Sequence, residues 1–125
     1  MEEKNKIRSF KDLEAWRQGH ALVLSTYRVT NKYPKSEQFG ITNQMRRAAV
    51  SITSNIAEGF SRQTYKEKYQ FYSVALGSLT ELQNQLLISK DIGYITVSDF
   101  NKINEQSLFT QKLIRGILKY SRASM

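Results

Sequence analysis

The sequence predicts an all-α fold, an antiparallel up-down-up-down four-helix bundle, and three observations carry that expectation. Apolar residues recur at spacings of three and four through four long segments; the breaks between segments are short; and no stretch of alternating polarity of comparable length competes. Long helices joined by short connections pack as antiparallel neighbours.

The first segment, from about Asp12 to Lys32, places Leu13, Trp16, His20, Val23 or Leu24, and Tyr27 on one buried stripe. Pro34, the only proline, ends it, because the residue before a proline is pushed out of the helical region. A second helix begins near Ser36 or after Gly40 and runs to about Gly59, with Ile41, Met45, Ala48 or Ala49, Ile52 and Ile56 inward. Gly59 is expected to close it in a left-handed conformation.

Thr64-Tyr-Lys-Glu67 matches a capping box, in which hydroxyl and carboxylate satisfy free amides at a helix start, so the third helix opens at Thr64. Its stripe is Tyr65, Tyr69, Tyr72, Leu76, Leu79, Leu82 and Leu86, and it ends near Asp91 to Gly93. Thr96 or Ser98 opens the fourth, with Phe100, Ile103, Leu113 or Ile114, and Ile117 inward and fraying from Tyr120.

The 125 residues fit a single domain spanning 1–125, with 1–10 and 121–125 expected to fray. A chain of this size buries about two thirds of its unfolded surface. No apolar run long enough to span a membrane is present, and the opening MEEKNKIRSFKDLE lacks the apolar stretch of a secretory signal, so the expectation is a cytoplasmic protein with no membrane partner.

There is no cysteine, one histidine, and only 11 acidic residues, scattered without a close cluster. Disulfides, thiolate nucleophiles and the usual structural zinc sites drop out together. No catalytic residue, metal or cofactor is expected, and the protein reads as a non-enzyme. His20, in register with Trp16, is expected as a buried, hydrogen-bonded core residue.

The stretch QMRRAAVSITSNIAEGFSR, Gln44 to Arg62, is unusually rich in small, mildly polar residues. Ser51, Asn55 and Glu58 fall on a different face from the isoleucines, and such residues suit a close helix approach that excludes water. Gly77 and Ser78 repeat the pattern mid-helix, where glycine costs about 1 kcal/mol relative to alanine. Either a seam inside the bundle or a contact with a second copy explains them. Glu81 is a candidate partner for Arg46 or Arg47, which point about 100° apart, so that one makes a structural ion pair while the other reaches solvent or a phosphate. Glu58 reads as a helix-end hydrogen-bonding residue.

The net charge is +8 and the pI near 9.8, which favours polyanionic partners. Lys112, Arg115, Lys119 and Arg122 recur at three, four and three along one face with no acid among them, a stripe able to track a phosphate backbone or simply to be solvated. Arg62, Lys66 and Lys68 extend that patch or form another. Tyr65, Tyr69 and Tyr72, with Phe71, read as core or interface packing rather than base-stacking groups.

DLEAW at Asp12 to Trp16, YP at Tyr33 and Pro34, the Gln44–Arg62 stretch, ALGSLTELQNQL from Ala75 to Leu86 and IGYI from Ile92 to Ile95 occur in this order. With these the chain resembles the four-helix-bundle family whose founding members are encoded in intervening sequences of bacterial 23S rRNA genes, related to accessory proteins of diversity-generating retroelements. The resemblance implies a ring-shaped homo-oligomer, a pentamer, of basic character suited to nucleic acid; members related to the retroelement proteins also associate with a reverse transcriptase.

Two functions follow as expectations. The first is a non-enzymatic oligomer that binds RNA or structured nucleic acid through phosphate contacts from Arg46, Arg47, Arg62, Lys66, Lys112, Arg115, Lys119 and Arg122. The alternative is a protein-interaction scaffold, for a reverse transcriptase or another nucleic-acid enzyme, whose charge only assists encounter.

Overall fold

The computed structural model describes residues 6–125, which form four α-helices and, among the described residues, no strand. Part of the expected fraying of residues 1–10 falls on residues 1–5, outside the described residues. Ser9 caps a short 3-10 turn, Phe10–Asp12, and the Asp12 carboxylate accepts from the amides of Arg8 and Ser9 at 2.8 and 3.0 Å. Those two amides hold the carboxyl below its ordinary range.

Helix α1, Glu14–Thr30, turns Ala15, Gly19, Leu22, Thr26 and Val29 into the core. That corrects the expected stripe, which lies one residue further on, about 100° around the axis. Leu13, Trp16 and Val23 only flank the core, while Leu24 and Tyr27 are exposed. The period was the same for both stripes, so size decides: the smaller residues admit α2, whose Thr53 Cγ2 would lie 3.2 Å from a β-carbon on Gly19. His20 is also corrected, since it is exposed and stacks on Trp16, with ring centres 4.8 Å apart and planes 13° apart.

Helix α2, Ile41–Ser61, starts after Gly40 and buries Met45, Ala48, Ala49, Ile52 and Ile56 as its apolar spacing predicts. Gly59 does not close it. It lies inside the last turns against α3, and the only positive φ among the described residues is Gly93, at 81°. The chain leaves α2 in extended conformation at Arg62, and Lys68 reaches back to donate to the Phe60 carbonyl at 2.7 Å, satisfying a helix-end acceptor.

Helix α3, Tyr65–Asp91, is about 40 Å long at 1.5 Å per residue. Thr64 caps it, accepting from the Glu67 amide at 3.1 Å, although Glu67 takes its hydrogen bond from the Thr64 hydroxyl and not from a backbone amide. Helix α4, Val97–Ala123, is capped by Thr96 and continues past Tyr120, with Leu118 and Ser121 still buried.

The helices pack in a four-sided bundle, α1 on α2, α2 on α3, α3 on α4 and α4 back on α1. Ile52, Ile56, Leu79, Leu82, Leu86 and Ile114 form its fully buried centre. Five hydroxyls that enter the interior return to their own helix: Thr26, Thr30, Ser89, Thr110 and Ser121 each donate to the carbonyl four residues back, at 2.7 to 2.9 Å. At one end Lys32 pairs with Asp99 at 3.3 Å, and the Tyr94 hydroxyl donates to Glu37 at 2.8 Å, joining the two loops there.

Candidate nucleic-acid interface

Arg46 and Arg47 divide as their 100° separation requires. Arg46 turns toward α1, where its Nε donates to Thr30 Oγ1 at 3.0 Å and its guanidinium lies 4.6 Å over the Tyr27 ring. Its partners are a hydroxyl and an aromatic face, not an acid. Arg47 is exposed and lines an open depression with Gln44, Ser51 and Glu81. No ion pair joins Glu81 to either arginine among the described residues.

The small residues of α2 meet those of α3. The Ser51 and Ser78 hydroxyls share a hydrogen bond at 2.8 Å, and Asn55 Nδ2 donates to the Ser51 carbonyl at 2.8 Å and to its hydroxyl at 3.1 Å. The Ser51–Ser78 bond therefore joins α2 to α3 within one chain, and Asn55 braces Ser51 from its own helix. Gly77 behaves differently, because a β-carbon there would meet nothing within 4 Å. It faces outward over a depression shared with Tyr69, Ser73 and Arg115.

The cations expected around the start of α3 split into tied and free groups. Arg62 pairs with Glu58 at 2.9 Å and stacks 4.5 Å over Phe71, so both members of the Glu58–Arg62 pair serve the end of α2. Lys68 is held by the carbonyl of Phe60, and burial pushes its pKa down. Lys66, by contrast, is exposed and forms no ion pair among the described residues.

On α4, Lys112, Arg115, Lys119 and Arg122 are all exposed, and none has an acidic partner among the described residues. Arg122 leans over α3 with its guanidinium 5.3 Å from the Tyr69 ring centre. Arg115 opens onto the same side of α3. The result is an unneutralised strip of four cations on α4, with α3 alongside.

Tyrosines near that strip are not all packing residues, as their helical spacing had suggested. Tyr72 is buried and its hydroxyl is pushed up to about 12, burial being the main cause. Tyr65 is 36% exposed and Tyr120 65%, with their rings edge to face at 5.9 Å. Contact with Tyr120 is the first cause that raises the Tyr65 hydroxyl above its ordinary range. Tyr120 was missed as a site residue because its position in the expected frayed end gave no sign of a partner.

Among the described residues no three His, Asp or Glu side chains gather closely enough to hold a metal ion. No helix among them is long and apolar enough to cross a membrane.

The model of the 23S rRNA-intervening sequence protein family matches residues 11–116. The fold is similar to the crystal structure of a protein of unknown function from the S23 ribosomal protein family of Bacteroides thetaiotaomicron, with 22% identity, a TM-score of 0.78, and coverage of 84% of this chain and 95% of that one. No curated protein matches the chain.

Proposed function

Because the chain belongs to the 23S rRNA-intervening sequence protein family, we propose that it is a non-catalytic, self-associating helical bundle that binds RNA or structured nucleic acid through phosphate contacts. The observation that carries this reading is the α4 strip, Lys112, Arg115, Lys119 and Arg122, exposed and without acidic partners among the described residues. Self-repulsion among four aligned cations opposes folding slightly, and a polyanion relieves it. Lys66 at the start of α3 extends the charge toward the end of the strip, Arg47 is a separate exposed cation on α2, and Arg46, Arg62 and Lys68 are engaged within the fold.

The antiparallel up-down-up-down order is supported by pairings that run oppositely along neighbouring helices. Met45 meets Ser89 and Ser51 meets Ser78 between α2 and α3, while Gln83 meets Ser107 and Tyr65 meets Tyr120 between α3 and α4. Assembly into a ring, the pentamer implied by the resemblance, is supported by outward-facing Gly77 and by Leu24, Tyr27 and Val50, apolar side chains exposed on α1 and α2. The same apolar positions favour the second reading, a scaffold that docks a protein partner such as a reverse transcriptase.

Fluorescence anisotropy with a short RNA at increasing salt tests the first reading. Affinity falls steeply with salt, and Lys112→Gln, Arg115→Gln and Lys119→Gln together reduce the log-log slope by about 2 for a single strand. A flat salt response sinks the phosphate mechanism. Retained RNA binding in the triple variant moves the site to another surface, and lost partner binding with no RNA effect supports the scaffold.

A further inference from the structure

Where α3 begins and α4 ends, a cavity of about 350 Å³ opens at the end of the bundle, and phosphate contacts alone make no use of it. Four aromatic rings, Phe60, Tyr65, Tyr72 and Tyr120, wall it together with the aliphatic Ile7, Leu13 and Ile117. Among the described residues the one charged side chain that enters, Lys68, already donates to the Phe60 carbonyl at 2.7 Å, and no acid lines the space. Its volume lies at the small end of the roughly 300–1,000 Å³ typical of ligand pockets.

The rim matters as much as the walls. Tyr120 is 65% exposed and meets Tyr65 edge to face at 5.9 Å, so two aromatic rings stand partly in water at the mouth. Exposed lysines without acidic partners among the described residues neighbour both rings in sequence: Lys66 follows Tyr65 and Lys119 precedes Tyr120. An aromatic-walled cleft with a cationic rim is matched by a flat π-system carrying anionic groups at its edge. A nucleotide within a strand has that form, whereas a fully paired base has to be extruded from its stack first.

We propose that this end pocket takes one unpaired nucleobase of a single-stranded nucleic acid, stacked on Tyr120 and Tyr65, with Lys66 and Lys119 on the flanking phosphates. The inference rests on the phosphate-binding reading above and narrows its ligand from any nucleic acid to a strand with a free base. Base stacking adds to affinity without sequence readout, because every base presents a π-face.

Three ligands of equal length, about 12 nucleotides, test it: a single RNA strand carrying 2-aminopurine, the same strand in a blunt duplex, and an abasic backbone. The single strand is expected to bind roughly ten-fold more tightly than the abasic backbone, with a change in 2-aminopurine fluorescence on binding. Tyr120→Ala removes both effects and Tyr120→Phe keeps them, with circular dichroism unchanged because Tyr120 lies at the surface. Equal affinity for the single strand and the abasic backbone overturns the pocket and leaves the phosphate reading intact. Absence of salt-dependent binding to all three overturns both.

Discussion

Gly59 and Tyr72 approach so closely that a β-carbon on Gly59 would lie 2.7 Å from Tyr72 Cε1 and 2.9 Å from Cδ1. The glycine inside α2 is what lets a tyrosine ring of α3 lie against its backbone. Gly59→Ala therefore destabilises the fold by about 1–3 kcal/mol through overpacking, against the roughly 1 kcal/mol that alanine gains from helix propensity. Urea unfolding measures this, and the cost shrinks in a Tyr72→Leu background. A stabilised Gly59→Ala would show that the contact relaxes at no cost.

Gly77 and Gly116 are the counter-cases, since a β-carbon at either meets nothing within 4 Å. Alanine at each position raises the stability of the chain by about 0.5–1 kcal/mol. For Gly77, in the assembly we propose, the added methyl also weakens association. Light scattering then reports a lower mass at equal concentration while thermal unfolding shifts upward. An unchanged mass removes Gly77 from the contact between copies.

Tyr72 sets an alkaline limit. Its folded pKa is raised to about 12 from 10.0, mainly by burial, so the folded state keeps a proton that the unfolded chain releases first. The contribution is fully present below pH 10 and is lost as pH rises toward 12, on the order of 2–3 kcal/mol. Tyr33, also raised by burial, acts in the same direction. Lys68, whose folded pKa is lowered, acts oppositely, with its penalty easing as pH rises toward 10.5. Helical circular dichroism against pH should show unfolding above pH 10, moved upward in Tyr72→Phe.

The two adjacent arginines separate cleanly by experiment. Arg46→Ala loses the hydrogen bond to Thr30 and the stack on Tyr27, a cost of about 1–3 kcal/mol. Arg47→Ala, at an exposed position, changes stability by less than about 0.5 kcal/mol but weakens RNA binding if its charge contributes to the field. Equal destabilisation by both substitutions would contradict the division seen in the structure.

The four segments, the starts of α3 and α4, and the core face of α2 were legible because each rests on local chemistry. Thr64 and Thr96 cap by reaching amides three residues ahead, a relation written in the chain itself. Met45, Ala49, Ile52 and Ile56 leave a single apolar stripe with no rival. Helix α1 offered two stripes of equal period, and the larger residues suggested the wrong one. The basic strip of α4 was legible as a spacing, but that its charges stand without acids from neighbouring helices was not.

From the order of residues alone came the helices, the N-terminal caps of α3 and α4, the charge and the family resemblance, since helical periodicity and capping act over only a few residues. Tertiary contact decided that His20 lies outside, that Gly59 serves an aromatic ring, that Arg46 is tied while Arg47 is free, and that Tyr65 and Tyr120 rim a pocket. These outcomes depend on which faces of separate helices meet. That is fixed by the shape and volume of side chains far apart in sequence, which no local pattern records.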